Sequence, residues 1–350
     1  MHQTDLKQTE TFNVLLDDLY ENIKSEQIKA AEHVRLKIAE QEMVIRDEQL
    51  LARSMLYDAR LETLKGNLEK GEQLLEGVAD AFALTSENLY YYHFFKGLLL
   101  YRQTNLQEAI IEYERAEPFL SGQIDHREVS DFYYKLANTY YHMNMTAFSI
   151  LNADKAIEAA LRYKQDLQVA KCRLLQGLNY MESANFRKAE ELFQASLEHD
   201  TSQSELKLPL YVHHNLGVLY FKQNQLEKAI LHMEQSMDYK HPDYYIKSLY
   251  YVTDCSFRLG LKERAMQYFA EGFTLSKERD DDAYKWMFAM LHKQYVDQDS
   301  LEGVWREGIE YFQSIHDNHK VRHFAEQFAK YYTDHRDFEK ASRYYLLALK

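Results

Sequence analysis

The chain reads as an all-α protein whose helices come in antiparallel pairs stacked in series. One observation is the scarcity of helix breakers: 11 Gly and 3 Pro in 350 residues. The other is a recurrence. The set Gly97–Ala109–Tyr113–Ala116 returns as Gly177–Ala189–Phe193–Ser196, as Gly217–Ala229–Met233–Ser236 and as Ala329–Ala341–Tyr345–Ala348. In each set the later residues stand 12, 16 and 19 positions after the first. Small residues at this spacing let two antiparallel helices press together, and the bulky one fills the gap between them. That is the arithmetic of a tetratricopeptide-like helix pair. Such pairs cannot bury their apolar flanks alone, so they coil into a right-handed solenoid, a form suited to holding a partner in its groove.

A different segment comes first. Phe12, Leu15, Leu16, Leu19, Tyr20 and Ile23 fall at helical spacing, as do Ile28, Ala31, Val34 and Ile38. A third stripe runs through Leu50, Leu51, Met55, Leu56, Leu61 and Leu64, with Lys24-Ser25-Glu26 as the first turn. These predict a three-helix bundle over residues 1–66. Gly66-Asn67 ends the third helix. Leu68, Leu74, Leu75, Val78 and Phe82 mark a connecting helix over 67–86.

The repeats occupy 87–350 as about seven helix pairs. Their first-helix positions are Gly97, Ala137, Gly177, Gly217, Thr253, His292 and Ala329, at spacings of 40, 40, 40, 36, 39 and 37. These exceed the ~34 of a minimal tetratricopeptide repeat, which predicts longer helices or connections. The second set reads Ala137, Ser149, Ala153, Ala156, and the fifth Thr253, Ala265, Phe269, Gly272. The sixth is degenerate: His292, Val304, Gly308, Tyr311. Pro209 and Pro242 are placed just before first helices, where a missing amide proton is harmless. Asn105, Asn185 and Asn224 are placed in the turns within pairs, where left-handed backbone is needed. Lys350 falls inside the last second helix, so that helix either has a wet outer face or continues beyond the sequence.

Charge narrows the function. The net charge is −13, which argues against a nucleic-acid partner because neutralising phosphates takes clustered Lys and Arg. No apolar run approaches membrane-spanning length, and the polar start, MHQTDLKQTE, has no signal-peptide core. A cytoplasmic protein without a membrane partner is expected. Cys172 and Cys255 lie far apart and read as reduced core thiols. Neither a metal nor a cofactor is expected. His213-His214 is the one adjacent His pair, and neighbouring positions on a helix diverge instead of sharing a metal. Phosphate-loop, dinucleotide, zinc-protease and nucleophile-elbow motifs do not occur. Asp280-Asp281-Asp282 marks a loop before a helix at Ala283, where negative charge meets the helix N-terminus; it could also hold a basic peptide.

The segments YYHFFKGLLLYRQTNLQEAIIEYERAE (91–117), DFYYKLANTYYHMNMTAFSILNADKAIE (131–158), GLNYMESANFRKAEELFQASLE (177–198) and HNLGVLYFKQNQLEKAI (214–230) resemble the Rap proteins of Bacillus and its phages. So does LLDDLYENIKSEQIKAAEHV (15–34), and the likeness runs over nearly the whole chain. The resemblance implies a cytosolic quorum-sensing regulator. Its bundle would bind a response regulator or a similar regulatory protein, with Asp47, Leu50 and Tyr20 among the residues that face it. Its solenoid would bind a short Phr-like signalling peptide, compact around it and release the regulator. Asn215, in the NLG of the fourth pair, would grip the peptide backbone. Asn179 and Asn138 are further candidates, and Tyr211 and Tyr251 would supply aromatic walls, although ordinary packing suits these residues too.

Some Rap proteins insert a Gln into the regulator's phospho-aspartate site. In RDEQLLARSML (46–56) Asp47 falls where that Gln belongs, and Ala52-Arg53 replaces a Tyr pair. Gln49 lies two residues on, which turns a helical side chain by about 200°. An Asp beside a phosphoryl group repels it. The reading is therefore a binding regulator. The alternatives are a phosphatase with Gln49 as its catalytic residue and a peptide-independent adaptor. A peptide-gated transcription factor is disfavoured, because no helix-turn-helix and no basic recognition helix is evident.

Overall fold

A computed structural model describes residues 2–120, 124, 126–198 and 208–349. Lys350 lies outside them. Among the described residues there are eighteen α-helices and no strand. The chain forms two compact units, α1–α9 and α10–α18.

In the first unit, α1 (His2–Lys24), α2 (Ile28–Glu42) and α3 (Glu48–Lys65) are followed by α4 (Leu68–Ala81) and α5 (Ser86–Arg102). Then come α6 (Leu106–Ala116), α7 (His126–His142), α8 (Thr146–Arg162) and α9 (Asp166–Glu182). Gly66 ends α3 in the left-handed region at φ 87°, and its amide returns to the Glu62 and Thr63 carbonyls. The chain thereby reverses into α4, which packs against both α3 and α5. Helix α3 also packs on α1 and α5, and one core runs from Phe12 on α1 to Tyr140 on α7. Full burial of Phe12, Leu16, Leu19 or Ile23 contributes roughly 1.5–3 kcal/mol each.

The second unit holds α10 (Phe186–Leu197), α11 (Leu208–Lys222), α12 (Leu226–Met237), α13 (Pro242–Arg258) and α14 (Lys262–Glu278). It continues with α15 (Asp282–Tyr295), α16 (Leu301–Ser314), α17 (Asn318–Asp334) and α18 (Phe338–Ala348). All seven first positions of the recurring sets lie on α5, α7, α9, α11, α13, α15 and α17, and the later members lie on the helix that follows each.

The recurring set has a simple steric meaning. A Cβ added to Gly97 would stand 2.5 Å from the Tyr113 ring. On Gly217 it would stand 2.7 Å from the Met233 side chain. The bulky third residue thus lies directly on the bare Cα of the first. The sixth set is displaced: Val304 and Tyr311 are only half-buried, while Trp305, Ile309 and Phe312, each one position further on, are buried. The α15–α16 connection is longer, and it rotates the second helix by one residue. In the seventh set Tyr345 remains 44% exposed.

Two local readings also need correcting. Asn224 does take the left-handed conformation, at φ 58°, but in the other turns that role falls to Thr104 and Ala184. Asn105 instead precedes α6 at φ −83°, and Asn185 Oδ1 accepts from the Lys188 amide. Pro242 and Pro209 are the first and second residues of their helices, not residues before them.

Opposite effects are expected from two small substitutions. Gly97→Ala, usually favourable in a helix, destabilises by about 1–3 kcal/mol because the buried Tyr113 ring cannot retreat. Ala184→Gly stabilises by roughly 1 kcal/mol by relieving a Cβ at φ 57°. Urea midpoints of the two variants against the parent chain measure both.

Candidate functional site

Asp47 occupies the N-cap of α3 with extended backbone, and its carboxylate accepts from the amides of Gln49 at 2.9 Å and Leu50 at 3.3 Å. A short acceptor there satisfies two amides that the helix cannot. Gln49, inside the first turn, is turned elsewhere. Its Nε2 donates to the Ala83 carbonyl at 2.8 Å. Its Oε1 accepts from the Thr85 amide and from Asn88 Nδ2, each at 3.0 Å. Both ends of the amide thus tie α3 to the connection between α4 and α5. Arg53 reinforces the tie through an ion pair with Glu87.

Leu50 and Tyr20 were expected to face a regulator, and both lie in the core, at 6% and 7% exposed. Tyr20 stacks on Tyr57 at 4.6 Å between centroids and meets Tyr91 edge-on at 5.3 Å. Its hydroxyl donates to buried Glu128 on α7 at 3.1 Å, and burial raises its pKa. Of the three, only Asp47 reaches the surface. The apolar side chains exposed on α1, α2 and the turn after α2 are Val14, Leu36, Met43 and Val44, with Met43 96% exposed. They fall outside the phase of the core stripe Ala31, Val34 and Ile38, and that mismatch could have found them from sequence.

Asn138 and Asn179 lie in the first unit. Asn138 Nδ2 donates to the Tyr101 hydroxyl at 2.9 Å. Asn179 is buried; its Nδ2 donates to Ser149 Oγ at 2.8 Å and to the Leu175 carbonyl at 2.9 Å, while its Oδ1 has no partner.

Asn215, Tyr211 and Tyr251 lie together in the second unit, on α11 and α13. Asn215 Nδ2 donates to the Tyr211 carbonyl at 2.8 Å, a bond within its own helix that leaves Oδ1 available. Tyr211 meets Tyr244 edge-on at 5.0 Å, and Tyr251 meets Phe221 edge-on at 5.0 Å. His214 lies between them, 4.9 Å from Tyr244 and 6.2 Å from Tyr251. Tyr211, Tyr244 and Tyr251 are all half-buried, so this wall keeps a wet side. The sequence reading missed Tyr244 and His214 as members of it.

The adjacent histidines diverge: His214 Nδ1 lies 3.1 Å from Ser248 Oγ, while His213 stacks on His232. Among the described residues no group of three or more His, Cys, Asp or Glu side chains is placed to hold a metal. Asp281 caps α15 by accepting from the Tyr284 amide at 3.2 Å, and Lys285 pairs with Asp280 and Asp282. These acids border a cleft of about 560 Å³ with Asp243, Lys247, Tyr284 and Tyr311. Both cysteines are free and buried. No helix among the described residues is long and apolar enough to cross a membrane.

The fold and these features define a class: an all-α protein of tetratricopeptide-like helix pairs. No protein-family model matches the chain. Regulatory protein RapC of Bacillus subtilis is 26% identical over 82% of this chain and 74% of its own length. Response regulator aspartate phosphatase I of the same organism is 24% identical over 96% and 89%. Among solved structures, apo RapI superposes with a TM-score of 0.85 at 24% identity, covering 97% of this chain and 96% of that one. A Rap protein complexed with Competence and Sporulation Factor gives 0.75 at 21%, covering 97% of each. The chain is thus similar in sequence and in fold to Rap proteins over nearly its whole length.

Burial, and then Lys247, push the His214 pKa down to about 3. Protons therefore bind the unfolded chain first, near pH 6.5. The stability this group contributes is present above about 6.5 and is lost as pH falls toward about 3. His214→Gln, which does not titrate, is expected to flatten that acid limb. Urea midpoints of variant and parent between pH 7 and 4 should diverge progressively on acidification.

Proposed function

We propose that this protein is a peptide-controlled regulator that acts by binding, and that it does not hydrolyse the phosphoryl group of its target. The target is a response regulator docking on residues 1–66, with 67–86 as a connecting helix and 87–350 as the peptide-responsive repeats. The observation that carries the non-hydrolytic reading is the state of the Gln49 amide. Its hydrogen bonds to Ala83, Thr85 and Asn88 occupy both ends of the half-buried amide within the chain, and Asp47 beside it serves as a helix cap. A water-positioning amide has to be presented to the partner's phosphoryl group. Exposed Leu36, Met43 and Val44 suit docking, since solvent-facing apolar side chains favour a protein contact.

For the peptide, the reading rests on Asn215 and the Tyr211–Tyr244–Tyr251 wall. A free amide oxygen next to half-exposed rings suits an extended backbone, accepting from its N–H while the rings flank its side chains. The acids Asp243 and Asp281 nearby favour a peptide with a basic side chain. The relatives solved with peptides give this reading its class of ligand. The peptide switches the protein off by binding preferentially to the arrangement that does not hold the regulator.

Phosphorylated regulator mixed with this protein is expected to lose phosphate no faster than on its own. Faster loss that disappears in Gln49→Ala would establish the phosphatase instead. Leu36→Glu with Met43→Glu should weaken regulator binding at least about tenfold. Asn215→Ala should weaken peptide binding about tenfold, the equivalent of one hydrogen bond, by titration calorimetry. Regulator binding that ignores saturating peptide would mark a plain adaptor.

A further inference from the structure

The first unit contains a cavity that neither the regulator nor the peptide reading uses. It lies between the end of α1, α3, α5, α7 and α9, with a volume of about 260 Å³. A neighbouring space of about 200 Å³ shares Glu26, Arg60, Leu98 and Lys135 with it. Besides Lys24 and Arg127, which have partners of their own, three cations converge here: Arg60 from α3, Lys135 from α7 and Lys171 from α9. Among the described residues, none of the three makes a hydrogen bond or an ion pair. Burial depresses the pKa of Arg60 and of Lys171, so each cation is being taken out of water without full compensation. Tyr113 adds a donor. Its buried hydroxyl lines the neighbouring space, beside Arg60 and Lys135, and has no hydrogen-bond partner.

Four acids also line the larger space: Glu21, Glu26, Glu128 and Asp131. Two are already engaged. Glu21 pairs with Lys24 at 2.6 Å, and Glu128 accepts from the Tyr20 and Tyr91 hydroxyls. Asp131 and Glu26 raise the Arg60 pKa from a distance but do not contact it. What remains is a guanidinium fork and two ammonium groups with the Glu26 and Asp131 carboxylates around a partly open space, and a phenol proton beside it. Arg60, Lys135 and Lys171 are half-buried, whereas the Tyr113 hydroxyl is fully buried, and a buried donor without a partner is rare in folded proteins.

We propose that this cavity is a binding site for a small molecule bearing an oxyanion, a phosphate or a carboxylate, held by Arg60, Lys135, Lys171 and the Tyr113 hydroxyl. Guanidinium and phenol donors suit both groups, and the volume admits a small metabolite but not a macromolecular segment. A bound anion would join α3 to α7 and α9, so it would stabilise the packing of the first three helices on the repeats. The site does not depend on the regulator or peptide reading, and its test uses neither partner.

The full chain is melted with sodium phosphate or sodium acetate against sodium chloride at equal ionic strength. At least one oxyanion is expected to raise the melting temperature with saturation. Phosphate alone would indicate a phosphorylated ligand, and acetate alone a carboxylate. Lys171→Gln is expected to raise the half-saturating concentration at least about tenfold, and Arg60→Met to abolish the response. If Arg60→Met does not fold, Lys171→Gln decides. A rise no greater than with chloride overturns the proposal. So does a rise of equal size and midpoint in the variants, because that would be a general effect of the salt on the protein surface.

Discussion

The structure depends on one steric arrangement: a bulky side chain seated on the bare Cα of the partner helix. Tyr113 on Gly97 and Met233 on Gly217 are its clearest cases. Antiparallel helices normally stand 8–10 Å apart, and a residue without a Cβ lets the ring of its neighbour enter the seam. Each pair gains its apolar contact at that seam and leaves its outer flank for the next pair. Serial stacking follows from this.

The same logic reaches the N-terminal helices. Tyr20, Tyr57, Tyr91 and Phe95 form one aromatic cluster across α1, α3 and α5, and Glu128 on α7 accepts from two of those hydroxyls. A carboxylate buried at that depth needs such donors. Gln49 serves the same packing with an amide satisfied at both ends. The side chains that a sequence comparison singles out for a regulator therefore hold the first three helices onto the repeats in this arrangement. The exposed Leu36, Met43 and Val44 carry the accessible surface instead.

Candidate residues differed in how legible they were. Asn215, Tyr211 and Tyr251 do gather on α11 and α13, because each lies on a first helix and the register was correct there. Tyr244 and His214 were missed because nothing in their spacing separates an aromatic wall from packing. Tyr20 and Leu50 were placed outward although Tyr20 belongs to the apolar stripe of Leu16 and Leu19 and Leu50 to that of Leu56 and Leu61, and the stripes themselves gave the right answer. The sixth pair slipped by one residue because its connection is longer and a periodic template carries no information about loop length.

From the sequence alone came the all-α class, the helix pairs, the Gly66 break and the registers of the first and fourth sets. All of these are encoded locally, by small residues at fixed offsets and by left-handed turn positions. Only the tertiary structure decided that α1–α9 form one unit with a core shared from α1 to α7, that the Gln49 amide is spent internally, and that Arg60, Lys135 and Lys171 meet around one cavity. Those facts join side chains on different helices, far apart along the chain. Such partnerships depend on how helices turn about their axes when they pack, which periodicity along a single helix does not specify.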